Sequence, residues 1–200
     1  MGVFWRHGYE GASVETLSRE TGLNRSSLYG VWGDKRGLFL AALERYAQTR
    51  LAPLAAALEG GGTLAADLAA FFEAVADLAV AERRAGGCLI SCALADAAGS
   101  DADLRAELRR RFDAMEARLL ARLSRERTER PEATAGREPP EALAGVLAAT
   151  ARGMMLRARA GAERAEIAEV GAAAARLVAG AATGDRGTET TGGGASRGPA

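Results

Sequence analysis

Two hundred residues with 26 basic and 26 acidic side chains give a formal net charge of zero, so the chain is no polycation and any DNA contact must be local. A hydrophobic fraction of 48% is enough for one substantial core or two small ones. No apolar run approaches the roughly 20 residues of a membrane-spanning helix, and the N-terminus lacks the basic-then-apolar pattern of a signal peptide, so a cytoplasmic protein without membrane contact is expected.

In chain order, His7 precedes the Gly8-Tyr9 turn and is expected to help end a first helix that carries Val3, Phe4 and Trp5. Residues 13–32 then read as two short helices broken by one glycine. Ser13 is a good N-cap because its hydroxyl can accept from the free amides of the first turn. Val14 and Leu17 lie one turn apart and face inward. Gly22 stops the first helix, since glycine enters the left-handed conformation without steric cost. Asn24 caps the second, in which Leu28 and Trp32 form the buried stripe and Arg25, Ser26, Ser27, Tyr29 and Gly30 are left outside. Gly33 ends that helix, and Asp34 caps a third that begins at Lys35.

This arrangement is a helix-turn-helix, and its exposed residues suit DNA. Arginine and lysine bind phosphate by charge, serine and tyrosine hydroxyls by hydrogen bonds, and short side chains let a helix enter the major groove. Lys35, the only lysine of the chain, stands at a helix N-terminus, where its charge and the free amides can meet one phosphate. The candidate DNA-binding residues are Ser13, Arg25, Ser26, Ser27, Tyr29, Gly30 and Lys35.

From Lys35 to about Leu58 the pattern is one long helix with Leu38, Phe39, Ala42, Leu43 and Tyr46 on one face, which Pro53 must kink or break. Gly60-Gly61-Gly62 is a loop. Thr63 to about Arg84 carries Leu64, Leu68, Phe71, Val75 and Leu78 at helical spacing. Gly86-Gly87 interrupts, and Cys88 to Ala98 is predicted as a short apolar helix. Asp101 caps the next, which runs to about Arg127 with Leu104, Leu108, Phe112, Met115, Leu119 and Leu123 inside and Arg105, Arg109, Arg110 and Arg111 on a solvated, salt-bridged outer side. Residues 128–140 are predicted as a loop. Two closing helices, about 141–160 and 163–182, mix Leu143, Val146, Leu147, Met154, Leu156, Ile167, Val170, Leu177 and Val178 with small residues that allow close helix approach. Such a pair suits a four-helix bundle between two copies of the chain. Residues 183–200 are a polar, Gly-rich tail, predicted as disordered. Strand signals are absent, and the fold class is all-α.

Catalytic constellations are missing. His7 is the single histidine, and no nucleophile-elbow, Walker or zinc-ligand spacing occurs, so no enzyme, metal or cofactor is expected. Phe71, Phe72, Cys92, Phe112, Met115, Met154 and Met155 are the larger apolar groups that could line a ligand pocket between helices. No buried charge stands out to name a ligand class, and a mostly apolar or electrophilic molecule is the expectation. Cys88 and Cys92, four apart on one face, are either inert core thiols or a redox pair whose bridging would unwind their helix.

The run from His7 to Val14, then Gly22-Leu23-Asn24, Ser27-Leu28-Tyr29 and the segment Gly33 to Phe39, resembles the DNA-binding region of TetR/AcrR-type transcriptional regulators. Residues 87–90, Gly-Cys-Leu-Ile, with the helices after them, resemble more loosely the regulatory domains of one branch of that family. The resemblance implies a helix-turn-helix head over residues 1–45, joined to a helical ligand-binding and dimerisation domain over 46–182. Ser27, Tyr29 and Lys35 fall where family members contact the DNA backbone, and Arg25, Ser26 and Gly30 fall on the recognition helix. The partners it implies are a palindromic double-stranded operator, a small-molecule inducer, and a second copy bound through about 141–182, with repression released by the ligand.

One departure stands out. Family members have a full first helix before the Gly-Tyr pair, and here only Met1 to Arg6 are present. Its loss is expected to expose Leu17, Leu28 and Trp32, each wet apolar side chain forfeiting roughly 1.5–3 kcal/mol. Either the start is assigned too far downstream or the head is impaired. The alternatives to the repressor are therefore a helical dimeric sensor with weakened DNA binding, or a thiol-based redox regulator.

Overall fold

The computed structural model describes residues 1–83 and 87–180. The tail expected over 183–200, and Gly86, lie outside the described residues. In chain order the elements are α1 (Gly2–Gly11), α2 (Val14–Thr21), α3 (Arg25–Trp32), α4 (Lys35–Arg50), α5 (Ala52–Leu58), α6 (Leu64–Glu82), a π-helical segment (Leu89–Leu94), α7 (Ala95–Ala98), α8 (Ala102–Glu129), α9 (Pro131–Thr134), α10 (Pro140–Arg159) and α11 (Arg164–Ala179). No strand occurs among the described residues, and none of their helices is long and apolar enough to cross a membrane.

The sequence explains the breaks. Pro53 has no N–H to continue the α4 ladder, so α4 stops at Arg50 and α5 starts with Pro53 in its first turn. Gly8 takes a φ of +67° and separates the turns up to His7 from the Tyr9–Gly11 turn.

The α6 helix is the spine of the C-terminal part of the fold. It buries Leu64, Leu68, Phe71, Phe72, Val75, Ala76, Leu78 and Ala79 under α5, α10 and α11. Close approach of α11 depends on Gly171, because a Cβ there would lie 2.6 Å from that of Phe72. The core is continuous from Val3 to Val178, and the division near residue 45 falls inside α4.

Three expectations need correction. Residues 88–98 are not one α-helix: a π-helical segment is followed by the single turn α7. The wider turn lets Leu89, Ile90, Cys92, Ala93 and Leu94 all be buried. The 128–140 loop is shorter than expected, since α8 runs to Glu129 and Pro131 opens the turn α9. Buried charges do stand out, namely Asp67, Glu82, Arg122 and Glu126. They sit within apolar stripes, Asp67 between Leu64 and Phe71 and Arg122 between Leu119 and Leu123, where periodicity alone does not reveal them.

Candidate nucleic-acid interface and ligand cleft

The helix-turn-helix is assembled by side-chain caps. The Ser13 hydroxyl accepts from the Thr16 amide at 3.1 Å. The Asn24 carbonyl oxygen accepts from the Ser27 amide at 2.8 Å and from the Ser26 hydroxyl at 2.7 Å. The Asp34 carboxylate accepts from the Gly37 amide at 2.7 Å. Gly22, at φ +71°, makes the turn between α2 and α3. Gly37 lets α4 begin against the end of α3, because a Cβ there would collide with the Trp32 carbonyl.

Leu17 and Leu28 are buried despite the short first helix, and Trp32 is half-buried, so the expected exposure of the first two is overturned. The two leucines belong to one core cluster with Val3, Phe4 and Phe39, in which the Phe4 ring meets Phe39 at 4.9 Å and Tyr9 meets Phe39 at 5.0 Å. The α1 helix also leans on the π segment and α7, with the Trp5 indole donating to the Gly87 carbonyl.

On α3 the side chains of Arg25, Ser26 and Ser27 are exposed together with Gly30, and Tyr29 is half-buried with the Arg25 guanidinium 5.5 Å from its ring centre. Ser13 is exposed at the start of α2. Lys35 is anchored: its Nζ donates to the Glu10 carbonyl at 3.2 Å and lies 4.7 Å from the Tyr9 ring centre. Val31, 72% exposed on the same helix, is an apolar side chain that the sequence analysis passed over.

Side-chain contacts join α4 and α1 to the rest of the chain, among them Arg50 of α4 with Glu82 at 3.3 Å. Arg36 pairs with Asp101 and, at 2.6 Å, with Asp103. Glu44 pairs with Arg111 at 2.9 Å. The Tyr46 hydroxyl donates to Glu82 at 2.6 Å and lies 3.3 Å from the Cys88 sulfur. Trp5 of α1 supplies another, to Gly87. The Leu104 amide, then Arg36, holds the Asp101 carboxyl below the usual carboxylate range. Burial pushes the Glu82 carboxyl and the Tyr46 phenol up.

Behind this joint, between α5, α6, α8 and α10, is a narrow cleft with room for about 70 Å³. Phe71, Phe112, Met115 and Met155 line it. Phe72 and Met154, expected beside them, pack instead against Gly171, and Cys92 lies against Gly87. Arg111 and Arg152, which line the cleft, were missed, because Arg111 reads as part of the solvated face of α8 yet is only 10% exposed. Cys88 and Cys92 are buried free thiols. Burial pushes the Cys92 thiol up, against the pull of Arg159.

Residues 1–42 match the family described as bacterial regulatory proteins, tetR family. Over 182 residues the chain is 30% identical to the HTH-type transcriptional repressor ComR of Escherichia coli K12, covering 88% of this chain and 84% of that one. The chain belongs to the tetR family. It is thus a DNA-binding transcriptional regulator and no enzyme. Two solved tetR-family structures share the fold. A cysteine mutant of the regulator CifR complexed with 26-base-pair operator DNA has a TM-score of 0.77 at 24% identity, covering 88% of this chain and 90% of its own. A regulator from Cytophaga hutchinsonii also has a TM-score of 0.77, at 21% identity, covering 90% and 88%.

Proposed function

We propose that this tetR-family chain is a homodimeric repressor that binds a palindromic operator and leaves it when a small molecule occupies the cleft. Residues 1–45 serve as the head and 46–182 as the regulatory and dimerising part. The observation that carries this reading is the outer face of α3, where Leu28 is buried and Arg25, Ser26, Ser27 and Gly30 are free to enter a major groove. In this reading Lys35, Tyr29, Ser27 and Ser13 hold phosphates, and Val31 suits a thymine methyl group. The related repressor and the operator-bound neighbour support it.

The second copy binds through α10 and α11. Val146, Leu156 and Leu177 stand out from these helices at 55%, 53% and 83% exposure. Ala149 and Gly153 lie between the first two on the same face of α10, so a second backbone can come close. Two recognition helices would then enter successive grooves about 34–36 Å apart. Leu177→Glu is expected to give monomers in sedimentation velocity, together with loss of operator binding. A dimer that survives the change would refute this interface.

The test of the DNA contacts is selection of bound sequences from a random pool, followed by a gel-shift panel. Lys35→Ala or Tyr29→Phe should weaken all sites evenly, and Lys35→Ala alone should lower the salt slope by about 1. Changes at Arg25 or Ser26 should alter base preference, each lost base contact being worth about 1–3 kcal/mol. Base-selective loss for Lys35→Ala would overturn that division of labour.

A further inference from the structure

The cleft has a one-sided chemistry. Its walls are apolar, and the charged side chains lining it are both arginines, Arg111 and Arg152, with no carboxylate among the lining residues. It continues into a surface groove between α4–α5 and α8, since Leu51, Ile90, Arg111 and Met115 line both. At that groove Arg110 and Arg118 add positive charge beside Glu44 and Glu59. A molecule entering this way meets an apolar bed for its body and guanidinium groups for one polar end.

Arg111 is at the same time a structural tie. Its Nη1 holds Glu44 of α4 at 2.9 Å and its Nε holds Glu107 at 2.6 Å. Arg152 has only distant support, 3.8 Å to Glu116, with its guanidinium 4.0 Å from the Phe112 ring centre. The partners of Arg111 differ in environment. Glu107 is 12% exposed, whereas Glu44 is 51% exposed and can return to water at little cost.

We propose that the ligand is an amphipathic monocarboxylate, whose carboxylate takes the place of Glu44 on Arg111 while its apolar body lies along the cleft and the groove that continues it. This rests on the reading of the chain as a ligand-responsive regulator. A carboxylate supplies the same paired acceptor oxygens as Glu44, so the nearly buried guanidinium never loses its countercharge during the exchange. Glu44 lies on the helix whose first turn abuts the recognition helix at Gly37 and Trp32. Its release unties the middle of α4 from α8 and leaves Arg36 near the start of that helix, and Tyr46 and Arg50 toward its end, as ties to α6 and α8. The ligand-bound and DNA-binding states then differ by one ion pair, which supplies the differential affinity that any such switch requires.

The test is calorimetric titration of the full chain with decanoate, decanol and decylammonium, each below its micellar range. Decanoate is expected to bind, decanol at least about tenfold more weakly, as befits loss of a charge-assisted hydrogen bond, and decylammonium undetectably. Arg111→Gln should weaken decanoate by at least about tenfold. Glu44→Gln should tighten it and lower the decanoate concentration that releases DNA, because the competing carboxylate has lost its charge. General damage to the fold would weaken binding in both variants, so the opposite signs identify competition. If Arg111→Gln fails to fold by circular dichroism, Arg152→Gln and Glu44→Gln carry the comparison. Equal affinity for decanol and decanoate, weakened or unchanged binding in Glu44→Gln, or no binding by any of the three probes would overturn the proposal. Failure of the ligand-free chain to bind any DNA would instead refute the function proposed above, and the calorimetric ranking would still stand.

Discussion

Asp67→Ala is expected to lower the unfolding free energy by about 3 kcal/mol, the lower end of what removal of one partner from a buried ion pair costs. The Arg122 guanidinium is 2% exposed and its Nε donates to Asp67 at 2.6 Å. The Asp67 carboxylate also accepts from the Gly62 amide at 3.2 Å, and Arg122 donates to the Gly62 carbonyl at 3.1 Å. One carboxylate thereby ties α6 and α8 to the glycine loop before α6. Glu126, 3.1 Å from Arg122, keeps part of the countercharge and holds the loss near the lower figure. For a chain of this length the change is worth a fall of about 6–12 °C in Tm. The double variant Asp67→Ala with Arg122→Met should recover part of it, because the unpaired guanidinium is gone while Glu126 keeps Arg130 at 3.6 Å. Guanidinium denaturation of the three chains checks this. A single variant within 1 kcal/mol of the parent, or a double variant no better than the single, would show that the pair does not carry this load.

The order of elements was legible because glycine, proline and the capping residues mark their ends. Ser13, Asn24, Asp34, Thr63 and Asp101 each cap the helix expected to follow, and Pro53 divides α4 from α5. What stayed hidden depends on which face of a helix meets which neighbour. Phe71 and Phe72 are adjacent and equally apolar, yet one lines the cleft and the other packs on Gly171. Arg111 belongs to an arginine run that reads as solvated, and only the tertiary approach of α4 turns it inward onto Glu44. The π segment was unreadable for a similar reason. Cys88 to Leu94 has no helical signature that separates a wide turn from an ordinary one, and burial of five of its six residues is a tertiary demand.

The same logic governs the head. A short first helix predicts wet leucines only if the rest of the head leaves them uncovered, and Leu17 and Leu28 instead share one buried core with Phe4 and Phe39. Phe4→Ala is therefore expected to cost about 3–5 kcal/mol, the range for deleting a buried phenylalanine. Phe4 is 1% exposed, and its ring meets both Phe39 on α4 and Tyr9 after the Gly8 break. Its loss opens the core that Leu17 and Leu28 share with it, and it loosens Tyr9, over which Lys35 sits. The damage should be local, because α6, α10 and α11 pack on one another without contribution from α1. In hydrogen exchange the amides of α2 and α3 should open faster in Phe4→Ala, while those of α6 and α11 keep their protection. Operator affinity should fall with the population of folded head, and the dimer should persist. If exchange accelerates evenly along the chain, the head is not a separately opening unit. If α2 and α3 are unaffected, the cover over Leu17 and Leu28 comes from somewhere other than the short first helix.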